Sequence, residues 1–177
     1  MAADKFLKLN AQGRTQEGVP VTTPSATQTD DAGRLVGLMP DGRLNPALMP
    51  SGIGADTESI LCAEAVPAGS YVNVFIDASN ANARSVRKAI ADTVGKEADG
   101  FVLDSFASGE TALVYFEGRN TAMSGLTAGE RYYLSSTAAG QATLTAPVDA
   151  GNVVQYLGRA ISTTSVAFEA SEGIVRA

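Results

Sequence analysis

The chain has 177 residues, 45% hydrophobic and 18% charged, enough for one folded domain plus an appendage and too apolar for wholesale disorder. The net charge is −6, and residues 97–177 hold four Arg against nine Asp or Glu, so no basic stripe marks a nucleic-acid or anionic-membrane surface. Histidine is absent, which removes the commonest general base and metal ligand, and the single cysteine, Cys62, forbids an intrachain disulfide.

In chain order, Met1-Ala2-Ala3-Asp4-Lys5 lacks the apolar core of a signal peptide. No apolar run approaches the ~20 residues of a membrane helix. A soluble protein made in the cytosol is expected. Residues 1–57 read as an extended Pro/Gly-rich N-terminal arm. Phe6-Leu7-Lys8-Leu9 is a short strand candidate, and residues 15–33, rich in Thr, Gln, Pro, Asp and Gly, can bury little. A near-repeat follows, Gly33-Arg34-Leu35-Val36-Gly37-Leu38-Met39-Pro40 and then Gly42-Arg43-Leu44-Asn45-Pro46-Ala47-Leu48-Met49-Pro50, with Asp41-Gly42 as a turn between the copies. The prolines between 20 and 50 forbid long helices and central strands. Leu35, Leu38, Leu44, Leu48 and Met49 therefore form an apolar set on extended chain. It packs either against a neighbouring subunit or partner, or on its own domain.

Residues 58–177 read as mainly β, a compact β-barrel- or sandwich-like body of short antiparallel strands. Ala68-Gly69, Ser108-Gly109, Ala128-Gly129 and Ala150-Gly151 each precede a strand-like run, and glycine serves where the backbone must reach positive φ. The predicted strands are 58–65, 71–77, 84–90, 100–106, 111–117, 131–136, 141–145, 152–161 and 164–169. Val86, Ile90 and Val94 also fall at helical spacing before Gly95, so 84–90 is read as a strand followed by at most one helical turn. Tyr132 and Tyr133 alternate across a strand, one ring toward the core and the other outward, where it serves an interface or a ligand.

Chemistry-bearing motifs are sparse. Ser85-Val86-Arg87-Lys88 matches S-x-x-K without its companion elements, and Gly95-Lys96-Glu97 is no phosphate loop. Glu97 with Asp99 and Asp30 with Asp31 are carboxylate pairs expected in solvated loops; the second could help hold a hard cation. Cys62 reads as a small buried apolar residue. The expectation is a protein that is not an enzyme and uses no cofactor or metal.

The run Gly125-Leu126-Thr127-Ala128-Gly129-Glu130-Arg131-Tyr132-Tyr133-Leu134-Ser135, then Thr145-Ala146-Pro147 and Ala150-Gly151-Asn152-Val153-Val154-Gln155-Tyr156-Leu157-Gly158-Arg159-Ala160, resembles small structural proteins of tailed bacteriophages and prophages, among them capsid decoration (cement) and head-fibre proteins. Gly109-Glu110-Thr111-Ala112-Leu113-Val114-Tyr115-Phe116-Glu117-Gly118 and Asp31-Ala32-Gly33-Arg34-Leu35-Val36 are similar to that family as well. The resemblance spans most of residues 30–170 and rests on turn and strand signatures. It implies a β-barrel-like body, homotrimers, an extended arm, and a place on the outside of the phage head with the major capsid protein as partner. The same block occurs in phage tail-fibre and collar proteins, which leaves open a module that binds a host receptor or glycan.

Overall fold

Along a strand successive side chains face opposite sides, and this alternation decides which residues build each layer of the body. The computed structural model describes residues 5–9, 12, 14–22, 34–40, 42–45, 48 and 56–177, and the chain divides into two units, Met1–Ile53 and Gly54–Ala177. Among the described residues no α-helix forms.

In the first unit, β1 (Phe6–Leu9) and β2 (Thr15–Gly18) pair antiparallel, with Phe6 opposite Gly18 and Lys5 bonded to Glu17 at 2.6 Å. The strand expected at Phe6–Leu9 is present. Its partner lies in the polar stretch expected to bury little, because the hairpin is made by backbone pairing. Further along, Val21 bridges Val36 in parallel, through Val21 N–H to Leu35 O (2.8 Å) and Gly37 N–H to Val21 O (2.9 Å).

The second unit begins with a closed five-stranded barrel of β3 (Thr57–Cys62), β4 (Tyr71–Asp77), β5 (Ala83–Lys88), β6 (Gly100–Phe101) and β7 (Thr111–Tyr115), in the order β3-β5-β4-β6-β7. All pairings are antiparallel except β3 with β5, where Leu61 stands opposite Ser85. Ile60, Cys62, Val72, Val86, Ala112 and Val114 point inward and fill the barrel together with Val66 and Val102. Residues 83–88 are strand. The segment after them turns without a helix, held by Ile90 N–H to Lys96 O.

A second layer covers one wall of this barrel. It is an antiparallel sheet of β8 (Gly118–Asn120), β9 (Arg131–Leu134), β10 (Ala142–Thr143), β12 (Tyr156–Ser162) and β13 (Ser165–Phe168), in the order β10-β9-β12-β13-β8. The outward residues Tyr71 and Phe101 meet Leu134, Leu157 and Phe168 of this sheet. Their rings are closely packed: Tyr71–Phe168 centroids are 5.7 Å apart, Phe101–Phe168 5.4 Å and edge-on, Phe101–Tyr115 5.4 Å and stacked. Burying each such ring stabilises by roughly 1.5–3 kcal/mol, so this seam is a major part of the core. Leu126, Tyr132, Ala160 and Val166 form a smaller cluster.

The stretch expected as one strand at 152–161 is two, β11 (Val153–Val154) and β12, with Gln155 between them. β11 pairs instead with β14 (Ile174–Val175). Gly69, Gly109, Gly129 and Gly151 all sit at φ between 77° and 87°, the conformation for which the four turn positions call.

Candidate functional site

The described arm residues present an apolar surface. Leu35, Val36, Leu38 and Leu44 are 55%, 55%, 62% and 39% exposed, and Leu48 is half-buried. Met49 lies outside the described residues, as do Asp30 and Asp31. The turn between the near-repeat copies is closed by Gly42 N–H to Met39 O (2.9 Å) and Met39 N–H to Arg43 O (2.7 Å), and the exposed Leu38 and Leu44 flank it in sequence.

On the body, β9 carries Tyr132 and Tyr133 to opposite faces. Tyr132 is buried in the small cluster, and its hydroxyl accepts from Thr127 N–H at 2.8 Å. Tyr133 faces the other side and stands directly opposite Tyr156 of β12, their rings edge to face at 6.0 Å and 68°. The Arg131 guanidinium lies 5.9 Å from the centre of the Tyr156 ring. These three, with Glu169, Ala170 and Ser171, line an open groove of ≈ 610 Å³. The sequence singles out Tyr133 but not Tyr156, because the pairing of β9 with β12 joins residues 23 positions apart through a register shift between Tyr156 and Gly158.

The Glu97–Asp99 pair borders a second, more polar cleft of ≈ 440 Å³, with Gln155 and Glu172. Asp99 Oδ2 accepts from Val74 N–H (2.7 Å) and Asn73 Nδ2 (3.1 Å). Asn73 in turn accepts from Arg87 Nε (2.9 Å), and Arg87 caps the Phe75 ring at 4.3 Å. Burial pushes the Asp99 carboxyl above its ordinary value; the Val74 N–H opposes that and the nearby Glu97 charge adds to it. This carboxylate pins the 95–99 loop to β4, a structural task.

Ser85 and Lys88 are not brought together. Three residues apart on a strand they face opposite ways, Ser85 fully buried and the Lys88 amine 3.5 Å from Glu64. Cys62 is 1% exposed inside the barrel, where burial raises its thiol pKa. Among the described residues no three Cys, Asp or Glu gather as a metal-binding group, and no helix is long and apolar enough to cross a membrane.

No protein-family model matches the chain, and no curated protein sequence does either.

Proposed function

We propose that this chain is a virion structural protein of a tailed bacteriophage, a decoration protein that binds the outside of the head lattice as an oligomer and stabilises it. The observation that supports this best is the row of exposed leucines and valine, Leu35, Val36, Leu38 and Leu44, carried by a unit separate from the β body. Apolar side chains at that exposure gain from a partner surface, since covering apolar area stabilises by roughly 25 cal/mol per Å². The phage-like turn-and-strand blocks supply the partner class.

In this proposal the body docks as a trimer and the N-terminal unit reaches a neighbouring protomer or capsid subunit. A second attachment made by a tethered segment is effectively intramolecular, so modest contacts add into firm cross-linking of the shell. The acidic charge of the body keeps it off packaged DNA and in solution. The work is mechanical, with no catalysis and no cofactor.

The test is the copy number of this chain in purified virions, by quantitative mass spectrometry against the major capsid protein. A ratio within a few-fold of the major capsid protein is the expected result. A handful of copies per particle would move the chain to a tail, collar or vertex fibre, and absence from the particle would sink a virion role.

A further inference from the structure

We propose that the groove over β9 and β12 is a binding site for a neutral pyranose unit of an oligosaccharide. The inference stands apart from any position on a capsid, because it rests on the groove alone.

Three properties carry it. The first is shape. Tyr133 and Tyr156 meet edge to face at 68°, so two half-buried rings form a corner rather than a flat patch. A pyranose has one face of C–H bonds and a rim of hydroxyls, and such a corner offers a ring to stack on and a ring edge to abut. The groove volume of ≈ 610 Å³ falls within the ~300–1,000 Å³ usual for small-ligand sites.

The second is polar chemistry. Arg131 and Glu169 both line the groove. Among the described residues the Glu169 carboxylate has no hydrogen bond or ion pair, and the Arg131 guanidinium has only its contact with the Tyr156 ring. A carboxylate accepts from two adjacent hydroxyls and a guanidinium donates through a fixed fork. One charge of each sign leaves the groove neutral, which favours an uncharged sugar over an anionic one.

The third is rigidity. The 169–171 part of the lining is tied to β12 by Ser171 N–H to Tyr156 O (2.9 Å), Tyr156 N–H to Ser171 Oγ (3.1 Å) and Glu169 N–H to Leu157 O (2.9 Å). The backbone of the groove is therefore formed before a ligand arrives, and the ordering cost of binding falls on the Arg131 and Glu169 side chains.

The experiment is saturation-transfer NMR on the full chain with neutral hexasaccharides of glucose, mannose and galactose. At least one should receive saturation, strongest on the C–H face of a single unit. Tyr156→Ala should weaken that binding by about tenfold, Tyr156→Phe should hold it within about twofold, and Glu169→Gln should weaken it without lowering the melting temperature. The proposal is overturned if none of the hexasaccharides receives saturation, if Tyr156→Ala binds like the wild type, or if a uronic-acid hexasaccharide outcompetes the neutral ones.

Discussion

The side-chain amide of Gln155 pairs with both backbone groups of Ala98: Oε1 accepts from Ala98 N–H at 2.7 Å and Nε2 donates to Ala98 O at 2.9 Å. A side chain here takes the place of a neighbouring strand, 57 residues away in sequence. Both backbone groups are buried, so Gln155→Ala strands a donor and an acceptor. The expected loss is about 2–4 kcal/mol of unfolding free energy in urea titration. Gln155→Glu keeps the acceptor for Ala98 N–H and loses the donor, so it too should destabilise.

Tyr71 is fully buried, and its hydroxyl has no hydrogen-bond partner among the described residues, although the Asn120 amide is near. That amide is committed elsewhere: its Nδ2 donates to Gly69 O (2.8 Å) and to Met123 Sδ (3.4 Å), and its Oδ1 accepts from Ala122 N–H (3.2 Å). Tyr71→Phe keeps the tilted ring contact with Phe168 and removes the unpaired polar atom, so stability should hold or rise by up to about 1 kcal/mol. Burial pushes the Tyr71 phenol well above its ordinary range. A group harder to ionise when folded costs stability once the unfolded chain ionises, so the wild type loses stability as pH rises past about 10. The Tyr71→Phe variant should show a shallower alkaline loss in thermal melts.

Gly158 sits at φ 147°, and a Cβ there would lie 1.9 Å from Ala167 O. That oxygen belongs to the strand paired with β12 and cannot retreat without opening the sheet. Gly158→Ala should cost more than about 3 kcal/mol and yield little folded protein. Gly151, at φ 84° with nothing within 4 Å of a built Cβ, is the control. Gly151→Ala should cost only about 1 kcal/mol, and comparing the two melts separates steric clash from backbone strain.

Residues 54–177 expressed alone should fold and melt like the full chain, since the body carries its own core. In the proposed role this truncated body keeps only its own docking contact, so it binds phage heads more weakly than the full chain in a co-sedimentation assay. If it binds as well as the full chain, the N-terminal unit is not the attachment.

The barrel was largely legible from alternation: Val72 and Val74 against Tyr71, or Ala112 and Val114 against Tyr115, mark out two faces by their spacing alone. The turn glycines announce themselves too, because so few residues tolerate positive φ. What escaped was set by partners far along the chain. Gly118-Arg119-Asn120 has no strand-like composition and is a strand because β13 lies beside it. Gln155 interrupts an apolar run for the sake of Ala98. Tyr156 gains meaning only from its pairing with Tyr133. The arm leucines are the opposite case, plain in the sequence as an apolar set, with Leu35, Leu38 and Leu44 exposed in the structure.

The parallel β3–β5 pairing closes the barrel on itself, so each of its five strands has a paired neighbour on both sides. In the second sheet the outermost strands are β10, two residues long, and β8, three residues long. Edges that short give another copy almost nothing to zip onto. In these two sheets, side-chain surfaces rather than exposed backbone are therefore left to govern which neighbours the body accepts.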